Sequence, residues 1–136
     1  DKEIIDSFVL KTIKRFTEES NEEMPLLPEF SSEDDRRFAQ DLFHATLTRD
    51  AELRGYIRDN TRNWEFNRLA VMDVIIMQIA LAEILTFPTI PLSVTFNEYL
   101  DIAKVYSTPK SASYINGMLD GIVKNLHEQG IVNKTR

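Results

Sequence analysis

The run from Val71 to Phe87, VMDVIIMQIALAEILTF, constrains what this chain can fold into more than any other stretch. It is apolar almost all the way round. Asp73, Gln78, Glu83 and Thr86 interrupt it, and at about 100° per residue they fall on different sides, whereas a surface helix gathers its polar residues on one face. The pattern predicts a helix buried in the middle of a bundle. The run is short for a membrane span, carries two acids and stops at Pro88, so no membrane role is expected.

The remaining composition agrees. A chain of 136 residues can bury roughly two thirds of its extended surface as one domain. With 43% apolar and 28% charged residues it is ordinary globular material, and with only 4 Gly, 5 Pro and no long polar–apolar alternation it leans all-α. The absence of Cys excludes disulfides, thiolate zinc sites and thiol chemistry. His44 and His127 lie far apart, which argues against a His-based metal site. No signal peptide or spanning segment is visible, which points to the cytoplasm. The chain opens on Asp1 inside what already reads as a helix, so a longer parent protein is expected. The net charge of −6 gives a polyanion no global attraction; any nucleic-acid contact has to rely on a local patch.

Taken in order, residues 1–19 place Ile4, Ile5, Phe8, Val9, Ile13 and Phe16 at helical spacing. Lys11, Lys14 and Arg15 cluster there but are diluted by acids, which suits a solvated face, with a phosphate site as the alternative. Residues 20–31 read as a loop around Pro25 and Pro28. Ser32 with Asp35 resembles a capping box opening a helix to about Thr48, with Phe38, Leu42, Ala45 and Phe43 inward. A short helix from Asp50 to about Asn60 carries Leu53, Tyr56 and Ile57. On it Arg54 and Arg58 align with Arg62; Asp50, at i,i+4 from Arg54, and Asp59 are expected to offset them, which suits a solvated face, with an RNA contact as the alternative. Trp64 begins a short helical piece to Leu69. After the central helix, Pro91 suits the first turn of a helix bearing Phe96, Tyr99, Leu100, Ala103 and Tyr106. Ser107 to Lys110 reads as a loop. The last helix, about Ser111 to Gln129, shows a core stripe of Ile115, Met118, Leu119, Ile122, Val123 and Leu126, with Gly130 as its cap. Gly117 and Gly121 predict a close helix crossing, and residues 131–136 a loose tail.

Nothing in the chain reads as catalytic. There is no Gly-rich phosphate loop, no HExxH and no GxSxG elbow. Glu83 stands out only as an acid on a buried helix; such a carboxyl has to be paired, and Arg68 or the end of a neighbouring helix is the expected partner.

From Asn63 onward a pattern assembles: Asn63-Trp64, Arg68, Val71-Met72-Asp73, IALAE at 79–83, Ile90-Pro91, Asn97-Glu98, IAKVY at 102–106, Ser111 and YINGMLD at 114–120. In order and spacing this resembles the C-terminal half of the NusB family of transcription antitermination factors, from about Trp64 to Ile122. The resemblance implies an all-α bundle of about six to seven helices in two packed subdomains, spanning 1–130, with N-terminal helices in 1–60 and C-terminal helices in 63–130. It implies no enzyme activity and no cofactor. It also implies binding of a boxA-like ribosomal RNA leader together with a small-subunit ribosomal protein, NusE, within the RNA polymerase antitermination complex.

Carried over residue by residue, Tyr114 matches a family position near bound RNA, where an aromatic ring suits stacking on an unpaired base. A half-buried core ring is the alternative for it. Lys104 and Lys110 are the nearby candidates for phosphate contacts. Asp73 matches an acidic position facing the ribosomal partner; the alternative is an acid favoured by the helix dipole. Asn97 and Asn116 read as structural. Three departures stand out. Residues 1–20 lack the family's Arg-rich run, Gln78 replaces an Arg, and Lys110 stands where an acid is common. Either the basic element precedes Asp1 or RNA binding is weakened. Two other readings stay open: an RNA-targeting domain attached to a ribosomal RNA methyltransferase, and a helical protein-binding module without RNA binding. If Arg136 is the natural end, no room is left for a catalytic domain.

Overall fold

A computed structural model describes residues 33–62 and 64–135. The helix expected over 1–19, the loop at 20–31 and the capping residue Ser32 lie outside them. Within the described residues the fold is all-α: five α-helices and one 3-10 turn, η1. They are α1 (Glu33–Thr48), α2 (Asp50–Asp59), η1 (Glu65–Arg68), α3 (Val71–Thr86), α4 (Leu92–Tyr106) and α5 (Pro109–Glu128).

The central helix is α3, and each of the other four helices packs against it. Every residue from Ile76 to Ile84 is buried. Each buried Ile, Leu or Met there contributes roughly 1.5–3 kcal/mol over an exposed one. The polar interruptions are accommodated because each meets a different neighbour. Asp73 accepts from Ser107 Oγ beyond α4 at 3.3 Å. Gln78 Nε2 donates to Asp50 Oδ1 of α2 at 2.7 Å. Glu83 accepts from Thr95 Oγ1 at 2.6 Å and Tyr99 OH at 3.2 Å, both on α4. Glu83 therefore neither meets Arg68 nor caps a helix: two buried hydroxyls of α4 serve it.

Three acids in the first turn of α1, Glu33, Asp34 and Asp35, favour the positive end of its dipole. Leu42 and Ala45 are buried, and Phe38, half-buried, sets its ring 4.5 Å from that of Phe87 at the end of α3. At Arg49 the chain bends without losing its ladder, since Leu53 N still reaches Arg49 O at 2.8 Å. Arg49 forms two hydrogen bonds to Glu52, which also accepts from Tyr56 OH.

Pro91 sits at the N-cap of α4, with its carbonyl accepting from Val94 and Thr95. Tyr106, expected inward, is 37% exposed at the end of that helix. The last helix starts earlier than expected. Thr108 is its N-cap, accepting from Ser111 N at 3.0 Å, and Pro109 occupies the first turn, where a missing N–H is harmless. Lys110 is thus helical, not in a loop. At the other end, Gly130 adopts φ 76°, and Ile131 N and Gly130 N reach back to Leu126 O and His127 O, a Schellman closure that favours glycine.

Two expectations about α5 need correction. Gly121 faces the Asn60 side chain, with room for a Cβ only 3.4 Å from its Oδ1, whereas Gly117 faces open space and makes no close crossing. Nor are residues 131–134 loose. Val132 is buried, and Lys134 Nζ donates to Phe87 O at 2.7 Å, tying the C-terminal segment to the end of α3. No helix among the described residues is long and apolar enough to cross a membrane.

Candidate nucleic-acid and partner surface

The first half of α5, together with η1 and the end of α4, carries the candidate residues. Turns of α5 set Tyr114 one turn after Lys110, on one face of the helix. Tyr114 is half-buried, and its OH donates to Glu65 Oε2 of η1 at 3.0 Å. The other Glu65 oxygen accepts from Arg62 N at 3.1 Å. Burial first, then the bond to Glu65 and the negative charges of Glu65 and Asp73, pushes the Tyr114 hydroxyl up to about 12. Its hydroxyl is held by Glu65 while the side chain stays partly exposed.

Lys110 and Lys104 are both exposed. Lys104 lies across α5 from Tyr114. It borders an open groove of about 470 Å³ with Leu100, Pro109, Ala112, Ser113 and Asn116. The structure thus brings Tyr114 and Lys110 onto one face and sets Lys104 on the opposite flank. Asn116 Oδ1 is buried against this groove without a hydrogen-bond partner among the described residues. Asn97 is exposed. Asp73 is 6% exposed, at the N-terminal end of α3, where it holds the Ser107 turn.

In the sequence the arginines of α2 read as a solvated face, and Trp64 as the start of a short helical piece and part of the family pattern. In the structure Phe66 is the inward residue of η1, and the guanidinium groups of Arg54 and Arg58 lie 5.2 and 4.6 Å from its ring centroid. Asp50, expected to offset Arg54, is taken by Gln78. Trp64 is 61% exposed, with the Arg68 guanidinium 5.7 Å from its ring. The available signal was the length of η1: one short turn has room for a single buried anchor, so Phe66 inside puts Trp64 outside. A second groove of about 350 Å³ runs between α1, α2, η1 and α3, past Leu47, Arg54, Phe66 and Val71. Among the described residues no cluster of His, Asp and Glu is placed to hold a metal.

A sequence profile described as NusB family matches residues 2–124. The chain is 41% identical over 100 residues to the transcription antitermination protein NusB of Salinibacter ruber, covering 74% of this chain and 62% of that one. It is 39% identical over 94 residues to the protein of the same name from Koribacter versatilis, covering 69% and 64%. A third of that name, from Chloroherpeton thalassium, is 40% identical over 80 residues, only 38% of its length. The matched region is thus less than two thirds of these relatives. Among solved structures, T. maritima NusB superposes with a TM-score of 0.81 at 26% identity, over 91% of each chain. The antitermination factor NusB, solved with NusE and dsRNA, superposes at 0.74 over 91% of this chain and 96% of that one; at 18% identity it speaks for the fold alone. A profile spanning nearly the whole chain, a relative at 41% identity and a shared all-helical architecture make this chain a member of the NusB family.

Proposed function

We propose that the protein is a transcription antitermination factor of NusB type, binding a boxA-like RNA leader jointly with the ribosomal protein NusE in the RNA polymerase antitermination complex. The observation that carries this reading is the Tyr114 face of α5 in a chain of this family: a partly exposed ring, its hydroxyl held by Glu65, with Lys110 one turn away. A preset ring stacks on an unpaired base without a large ordering cost, and lysines supply phosphate contacts. Lys104 contributes from the far flank of α5. Asp73 is the partner-side candidate; at 6% exposure it acts by holding the Ser107 turn, which leads into α5, rather than by offering a free carboxylate. The role is binding, not catalysis, and it belongs in the cytoplasm with the transcription machinery. The solved complex of a related NusB with NusE and dsRNA supports the choice of partners.

The test is a gel-shift titration with boxA-like RNA, with and without NusE. Weak binding alone and tighter binding with NusE are expected, given the net charge of −6. Tight, salt-insensitive binding by the chain alone overturns the reading. Tyr114→Ala is expected to weaken RNA binding about tenfold, while Tyr114→Phe, which keeps the ring, leaves it nearly unchanged. Equal effects of the two would show that the ring does not touch RNA.

A further inference from the structure

We infer that Trp64, at the N-cap of η1, and Arg68, within it, form a second stacking platform, which takes a base of the same single RNA strand as it leaves the Tyr114 face. The inference rests on the RNA-binding reading above and extends it to a surface on another element.

The first observation is the indole itself. Trp64 is 61% exposed, although tryptophan carries the largest apolar surface of any residue, and it does not fill the core. Its ring already carries the Arg68 guanidinium at 5.7 Å, while its remaining surface stays open. An indole with a neighbouring guanidinium is a sequence-tolerant seat for an unpaired base, with a cation at hand for the adjoining phosphate.

The second is a cluster of arginines without acid partners among the described residues. In a chain of net charge −6, Arg54, Arg58, Arg62 and Arg68 make no ion pair within the described residues. Arg54 and Arg58 instead crowd one Phe66 ring, at 5.2 and 4.6 Å. Two like charges on one ring repel each other, and the repulsion is relieved when a polyanion lies across them. The nearest acid on η1, Glu65, has both oxygens occupied, by Arg62 N and Tyr114 OH.

The third is continuity. Glu65 follows Trp64 directly in the chain and accepts from Tyr114, so the Trp64 turn and the Tyr114 face of α5 are joined through one residue. A flexible strand seated on Tyr114 reaches η1 past Glu65, whose carboxylate is already engaged by Arg62 N and Tyr114 OH. These features favour a nucleic-acid strand over a protein, whose docking would have to leave several arginines unpaired or meet them with acids.

The chain holds a single Trp, so the tryptophan emission of the unaltered protein reports on this position alone. The probe is an unstructured boxA-like RNA oligonucleotide, titrated with and without NusE while gel shifts are run on the same samples. Emission is expected to be quenched saturably, in step with the bound fraction. Trp64→Ala is expected to weaken binding about tenfold and Trp64→Phe far less. Arg68→Gln is expected to flatten the dependence of log affinity on log salt by about 0.7. RNA that shifts the protein with unchanged emission, and binds Trp64→Ala as well as the parent, overturns this inference and leaves the Tyr114 reading standing. No RNA binding with or without NusE overturns both. Quenching by NusE alone, with no further change on adding RNA, makes Trp64 a protein contact and overturns the inference. The quenching needs no variant, so a folding defect in one leaves the result decisive.

Discussion

Replacing Glu83 by Ala removes the acceptor of two hydroxyls that have no access to water. Thr95 and Tyr99 are both 0% exposed, and they donate to the two Glu83 oxygens at 2.6 and 3.2 Å. A buried donor left unmade costs about 1–3 kcal/mol. Thr95 has a partial remedy: its hydroxyl can turn back to the Pro91 carbonyl one turn earlier, as the Thr46 hydroxyl does to Leu42 at 2.8 Å. Tyr99 has no such route through its own helix. Taking the low end for Thr95 and the middle for Tyr99 gives about 3 kcal/mol. Loss of the carboxyl's own desolvation penalty offsets the small cavity left behind. For a chain of this length, that loss lowers the melting temperature by about 10 °C. Glu83→Gln keeps a carbonyl for Thr95 and presents an amide to the Tyr99 oxygen, so its cost should stay under about 1 kcal/mol. Urea unfolding followed by far-ultraviolet circular dichroism measures both, and an unchanged dependence on urea shows that the same unit unfolds. The reasoning fails if Ala and Gln cost the same, because charge or volume, not the two hydroxyls, would then be what the site requires.

Two further outcomes follow from local geometry. Gly117→Ala, in helix and facing open space, is expected to stabilise by up to about 1 kcal/mol, whereas Gly130→Ala, at φ 76°, should destabilise by about 1 kcal/mol; thermal melts of the pair are expected to move in opposite directions. Tyr56 and Tyr114 are both held up to about 12, in each case by burial first and then by a glutamate, so the fold retains their protons after unfolded tyrosines have ionised near 10. Their contribution to stability is therefore complete below about pH 10 and declines as the pH rises toward 12. Tyr114→Phe should flatten the alkaline fall in melting temperature; an unaltered slope would mean that Glu65 does not hold the phenol.

The parts of the fold legible in the sequence were those set by strong local chemistry. The central helix begins at Val71 as expected and ends one residue short of Phe87, because its apolar run meets Pro88. The stripe on α5 and its Gly130 closure were equally plain. Thr108-Pro109 reads as loop because proline breaks a helix in mid-course and threonine favours helix ends, yet the same pair opens a helix when it stands first. The partners of Glu83 were hidden for a different reason. A Thr and a Tyr four apart on an apolar face look like core until the adjacent helix supplies a carboxyl. Charge pairing was the weakest guide. Asp50 went to Gln78 and left the arginines of α2 to an aromatic ring, a choice set by tertiary placement and not by spacing along the helix.

The enclosure of α3 has a consequence for amide hydrogen exchange. A helix covered on all sides cannot fray open alone, and none of the four described helices packed on it can leave without exposing it. Its mid-helix amides, from Ile76 to Ile84, should then exchange with solvent only when the whole molecule unfolds, while those of η1 and the α2 end open by cheaper local excursions. The slowest amides of α3 become a gauge of global stability built into the chain. Any ligand that binds only the folded form must slow their exchange by the factor 1 + [L]/Kd, wherever on the surface it sits.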